Sequence, residues 1–198
     1  MDMMQIFTLV TGVIYIILEI RQKNAMWLVG IATSLAAMWV FFSQGLYASF
    51  GLNTYYLITA IIGLWQWRRD SLRLTACGDT EMQDASGDVI HLNRLTFRVA
   101  AVSLVVALAG IWGLSYLMTL LENPMSLLDA SVAVISAVAT WWLVRSYLEQ
   151  WFLWIAANAL TVVLCVSQGM WWMTLLYVAY VVSAVIGYLY WKKKGRYL

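Results

Sequence analysis

The chain has 198 residues, 63% hydrophobic and only 11% charged, with a net charge of +2. Water-soluble domains carry about 25% charged residues, so a soluble globular protein is excluded, and so small a net charge leaves no footprint for nucleic acid. Cys77 and Cys165 stand apart without disulfide or metal-ligand spacing, so neither a metal nor any other cofactor is expected.

A membrane-crossing helix needs about 20 largely apolar residues, and seven runs qualify. The first is Met4–Ile20. It lacks a basic leader and a small-residue cleavage site, so it reads as a retained helix rather than a signal peptide. Glu19 falls at its inner end beside Arg21, near an interface where charge is moderately costly. The second run, Met26–Phe42, ends at Ser43-Gln44-Gly45, a tight turn in which Gly supplies φ > 0. The third is Leu46–Trp67. Arg68 to Thr96 is the one long polar segment, read as a solvated linker with His91 as a solvated loop histidine. The fourth run is Phe97–Leu121, and Asn123-Pro124 breaks the chain after it, because Pro lacks the N–H that a continuing helix needs. Leu127–Val144 follows, with Asp129 placed where a helix N-terminus favours a carboxylate. Arg145 and Glu149 are spaced to pair if that helix runs on. Trp151–Val166, a second turn at Ser167-Gln168-Gly169, and Met170–Trp191 complete the set.

Charge orients these spans. Arg21 and Lys23 follow the first, Arg68, Arg69 and Arg73 the third, Arg145 the fifth, and Lys192, Lys193, Lys194 and Arg196 the seventh. The connections after spans two, four and six hold no Lys or Arg. Cationic connections stay on the cytoplasmic side, which places the N-terminus outside and the C-terminus inside.

The chain also repeats itself. At a fixed offset of 124 residues, Arg21–Arg69 matches Arg145–Lys193 at 13 of 49 positions without a gap. Trp27 recurs as Trp151, Ser43-Gln44-Gly45 as Ser167-Gln168-Gly169, and Tyr56, Gly63 and Trp67 as Tyr180, Gly187 and Trp191. Three crossings invert a chain, so a second trio needs a linker helix to stand the same way up. The expected plan is an all-α membrane protein with two parallel three-helix repeats and a fourth, connecting helix. Its parts are residues 1–68 (first repeat), 69–96 (cytoplasmic loop), 97–126 (linker helix and outer loop), 127–191 (second repeat) and 192–198 (basic tail). Duplicated bundles of this kind are usual in secondary transporters, with the substrate site where the repeats meet.

Candidate contacts follow from helical spacing. Trp151, Trp154 and Asn158 are i, i+3 and i+7 and share a face. Two indoles and an amide suit a flat, polar-edged, cationic ring, by stacking or cation–π attraction and by hydrogen bonding. The blander reading makes Trp151 an interfacial anchor and Asn158 a link between helices. In the first repeat the same face holds Trp27, Gly30 and Ser34. Asn53 and Tyr56, and Tyr177 at the position matching Asn53, are candidates to line a path; close packing is their alternative role. No nucleophile–base set, phosphate-cradling loop or coupling acid at mid-membrane is evident, which speaks against an enzyme and against proton or sodium coupling. The polar segment from Asp70 to Asn93 leaves open a different class, a membrane sensor or scaffold that docks a partner there.

Arg145-Ser-Tyr-Leu-Glu149-Gln-Trp151-Phe-Leu-Trp154-Ile-Ala-Ala-Asn158 with its Ser-Gln-Gly turn, Gln44-Gly-Leu-Tyr-Ala-Ser49, Gly63-x-Trp-x-Trp67, and Asp129 with Ser136 together resemble the PnuC family of vitamin transporters over nearly the whole chain. The resemblance implies a three-plus-one-plus-three fold, SWEET-like in plan, in a bacterial inner membrane. It implies facilitated, uncoupled diffusion of nicotinamide riboside or a similar vitamin precursor, trapped by cytoplasmic phosphorylation, with thiamine as the rival substrate. The family's binding pattern carries over at Trp151, Trp154 and Asn158. Many members have Gln where this chain has Asn53, and nicotinamide riboside members can have Asn where it has Ala60. Partners implied are the small-molecule vitamin, the lipid bilayer and a second copy of the chain.

Overall fold

The computed structural model describes residues 14–43, 47–76, 90–120 and 126–197. Among the described residues seven helices follow one another: α1, described over residues 14–20, α2 (Ala25–Ser43), α3 (Tyr47–Ala76), α4 (Phe97–Leu120), α5 (Ser126–Val144), α6 (Gln150–Ser167) and α7 (Trp171–Lys194). Four of them, α4 to α7, are long and apolar enough to cross a membrane. Their outward residues are large and apolar: Val105, Trp112, Phe152 and Leu189 are all exposed. Such side chains are stable outside only where lipid, not water, surrounds them. The breaks expected at Gly45 and Pro124 lie outside the described residues.

The chain falls into two compact units: residues 1–92 with 144–146 and 194–198, and residues 93–143 with 147–193. In the first, α2 lies along α3. Trp27 and Trp67 meet edge to face at 5.0 Å, both at most 2% exposed. Gly63 makes that approach available, since any Cβ there would strike the Trp27 ring. In the second unit the same device recurs 124 residues later. Trp151 and Trp191 meet edge to face at 5.4 Å, and a Cβ on Gly187 would overlap the Trp151 ring. Helix α4 buries no residue. It rests on α5, where Gly110 lies against Val134 and the Trp142 indole N–H donates to Ser103 Oγ at 3.0 Å.

The turn after α6 follows the expected chemistry. Gly169 has φ +69°, its N–H donates to Val166 O, and Met170 N–H donates to Cys165 O. That pair of bonds is a Schellman motif, which closes a helix by using a left-handed residue. The end of α5 differs from expectation. The helix stops at Val144 and Ser146 takes φ +55°, so the continuing helix that an Arg145–Glu149 pair requires is absent.

The polar linker departs furthest from the sequence reading. Helix α3 continues past Arg68 to Ala76, and Asp70 is 2% exposed. His91 is also 2% exposed, not solvated. It begins a two-residue strand, β1 (His91–Leu92), paired in parallel with β2 (Arg196–Tyr197). Gln22, itself at φ +50°, grips His91 through its side chain: His91 N–H donates to Gln22 Oε1 at 2.8 Å, and Gln22 Nε2 donates to His91 O at 2.9 Å. Gln22 Nε2 also reaches Ser146 Oγ at 3.3 Å. These left-handed residues, Gln22 and Ser146, are themselves 124 apart. Arg196 N–H donates to Ile90 O. Thus the connections after α1, α3, α5 and α7 all meet in one knot.

Burial explains the state of His91. Desolvation pushes its pKa down to about 4, against the opposing pull of the Asp70 carboxylate. An imidazole taken out of water is more easily kept neutral.

Candidate functional site

Helix α6 carries the most informative face. It begins at Gln150, so Trp151, Trp154 and Asn158 occupy its first two and a half turns. Trp151 is 2% exposed, held between Trp191 and Gly187. Trp154 and Asn158 are half-buried. The indole nitrogens of both Trp151 and Trp154 are buried without a hydrogen-bond partner. A buried donor left unpaired costs about 1–3 kcal/mol, so this face is poised for an acceptor. Tyr177 on α7 is half-buried and meets Tyr180 edge to face at 5.6 Å.

The first unit offers a related but unequal face. Trp27 is 2% and Ser34 6% exposed on α2, and the Trp27 indole N–H is likewise buried and unpartnered. Where α6 has Trp154, α2 has Gly30, which lies close to Ala60 of α3. Ala60 and its counterpart Ala184 are buried at 4% and 3%. Asn53 and Tyr56 on α3 are half-buried, and the Tyr55 and Tyr56 rings lie 5.6 Å apart.

The chemistry available is recognition rather than bond-making. Indole faces hold a flat ring, indole N–H groups donate, and Asn158 both donates and accepts. Among the described residues no group of three His, Cys, Asp or Glu converges. The burial of one acid escaped the sequence reading. Glu19, at the inner end of the first span, is 5% exposed. Tyr15, one turn before it, is half-buried. The signal was available as an acid four residues after a tyrosine in an apolar run, but burial depth is not written in a single helix.

Three comparisons bear on this arrangement. A family model described as nicotinamide mononucleotide transporter matches residues 2–193. The nicotinamide riboside transporter PnuC of Neisseria mucosa is 29% identical over 93% of this chain and 70% of its own length. The protein of the same name from Escherichia coli is 24% identical over 94% and 84%. The crystal structure titled as the vitamin B3 transporter PnuC superposes with a TM-score of 0.64 at 25% identity, covering 94% of this chain and 79% of that one.

Proposed function

Because the chain belongs to the nicotinamide mononucleotide transporter family, and is therefore a multi-pass membrane transporter rather than an enzyme, we propose that it carries nicotinamide riboside or a closely similar vitamin precursor into the cell. The observation that carries this reading is the α6 face: two indoles with unpartnered N–H groups, one of them half-buried, followed by an amide. The names of the relatives point the same way.

In this reading Trp154 stacks on the cationic ring and Trp151 supplies an indole N–H. Asn158 and Asn53 hydrogen-bond hydroxyls, Tyr56 and Tyr177 shape the path, and Trp27 and Ser34 complete the first repeat's share. The matched Trp-Gly-Trp locks, 27/63/67 and 151/187/191, support two parallel three-helix repeats, residues 1–68 and 127–191. Segments 69–96 and 97–126 connect them, and 192–198 form the tail. The weak packing of α4 suits a linker. The knot of the four cationic connections supports their lying on one side, the cytoplasmic face of a bacterial inner membrane. Alternating access then comes from rocking one repeat against the other. No ion is coupled, and phosphorylation traps the product.

Thiamine is the second reading. It is favoured by Ala60, a buried methyl against Gly30 where nicotinamide riboside carriers can have an amide. Uptake into proteoliposomes tests the function: saturable entry of nicotinamide riboside, unchanged by ionophores, is expected. Dependence on a proton or sodium gradient sinks the uncoupled cycle, and uptake of thiamine alone selects the second reading.

A further inference from the structure

The knot beside His91 ties the turn after α1 to the turn after α5, which are the same turn in each copy of the sequence repeat. Gln22 and Ser146, 124 residues apart, sit in the left-handed region at φ +50° and +55°. A side chain makes that conformation costly, and it persists only where surrounding contacts hold it. Both residues are buried, Gln22 at 8% and Ser146 at 0% exposed. The Gln22 amide bonds unevenly. Its Oε1 accepts from His91 N–H at 2.8 Å and its Nε2 donates to His91 O at 2.9 Å, whereas the same Nε2 reaches Ser146 Oγ only at 3.3 Å. The first two are ordinary lengths and the third lies just beyond them. Arg196 N–H donates to Ile90 O at 2.9 Å, and β1 pairs with β2. The linker strand and the chain end are thus fastened firmly to Gln22, and Gln22 is joined lightly to Ser146. All of these residues lie in the first compact unit. Further along the linker, Asn93 pairs in parallel with Tyr147 at an isolated bridge.

We propose that this knot is a clasp on the cytoplasmic side of the transporter, and that the Gln22–Ser146 link opens each time cargo is released into the cell. The inference rests on the rocking cycle proposed above and deepens it by naming the contact that parts. Rocking opens the inner side only if the equivalent turns of the two repeats separate there. Such a link has to break in every turnover and re-form in one place. A single long hydrogen bond between neutral groups does both, because its net contribution is small and its partners are fixed by their turns. The strap of β1 and β2 leaves with Gln22, since two short bonds outlast one long one. The lone Asn93–Tyr147 bridge, with no ladder beside it, parts at the same step. The left-handed residues fit this role, because strained turns of this kind gather at switch points.

Uptake by the full-length chain in proteoliposomes tests the clasp, with Gln22→Cys and Ser146→Cys combined and the native thiols removed by Cys77→Ala and Cys165→Ala. A short bis-methanethiosulfonate joins the two new thiols, and dithiothreitol releases them. Joined protein is expected to keep its calorimetric affinity for nicotinamide riboside but to take it up at least about ten-fold more slowly, with dithiothreitol restoring the rate. Joined protein that transports at the unjoined rate overturns the proposal. So does slowing that dithiothreitol does not reverse, or equal slowing by the reagent in either single-cysteine variant. Ser146→Gly needs no thiol pair: glycine keeps the left-handed turn without strain and removes the hydroxyl. Efflux of preloaded nicotinamide riboside should quicken by about two-fold or more in that variant, and unchanged efflux overturns the proposal. Wild-type protein that takes up neither nicotinamide riboside nor thiamine overturns the substrate reading and this inference with it. Active wild-type protein whose joined form is equally active overturns the clasp alone.

Discussion

Gly63 and Gly187 are each the floor beneath an indole, and the contact sets a cost on adding a single carbon. A Cβ at Gly187 would overlap the Trp151 ring, which is 2% exposed and has nowhere to move. Gly187→Ala is expected to destabilise by about 1–3 kcal/mol through overpacking. The readout is a lower melting temperature in detergent, with Gly113→Ala, where nothing lies within 4 Å of the new Cβ, left nearly unchanged. His91 makes a second residue-scale prediction. Its pKa is pushed down to about 4 by burial, whereas the unfolded chain titrates near the usual histidine value of about 6.5. Between those values the unfolded state takes up a proton that the folded state refuses. The histidine's stabilising share is thus complete above pH ~6.5 and declines as pH falls toward ~4. Melting temperatures measured from pH 7.5 to 5 should drop, and His91→Asn should flatten part of the slope. For the candidate site, Trp154→Ala and Asn158→Ala should each weaken ligand binding by about 1–3 kcal/mol, read by calorimetry. Full affinity in both variants removes α6 from the site. The tryptophans, glycines and asparagine were visible as matched or spaced residues. That Trp27 sits on Gly63, 36 positions away, was not, because nothing local encodes a contact between two helices.

At the scale of elements, hydrophobic runs located the helices well because a span in lipid must be both long and apolar. The limits failed where polarity misled. Helix α3 runs to Ala76 through Arg68, Arg69 and Asp70, since a helix can leave the bilayer without ending. The strand pair β1–β2 has two residues on each side, too few for any alternation to show. Its support is equally non-local: the Gln22 side chain satisfies both backbone groups of His91. Gln22→Ala removes those bonds and leaves a buried amide N–H unpaired, so a loss of about 1–3 kcal/mol is expected. Removing residues 195–198 should loosen the same strand, and hydrogen exchange at Ile90–Leu92 should rise in both variants. Unchanged protection there would show that the knot contributes nothing. The Gly169 turn shows the opposite case. Ser-Gln-Gly announces its own φ > 0, and the structure uses it as a helix stop.

For the whole molecule, amino-acid composition, the charge alternation of the connections and the 124-residue repeat were enough to reach a multi-pass membrane transporter before any coordinates, and to suggest the parallel trios proposed above. A reporter fused to Leu198 should be active only in the cytoplasm; activity outside would reverse the proposed orientation. These features were legible because lipid imposes them on sequence directly: apolar length, cation placement and copied residues can be read one position at a time. What the sequence left undecided is how deeply each polar group lies. His91 looked solvated, and nothing local marked Glu19 as enclosed, yet both are buried. Burial is set by what another part of the chain brings alongside, here Gln22, Trp67 and β2 for His91. Only the tertiary structure decides that, because the free energy of a charge depends on its surroundings and not on its neighbours in the chain.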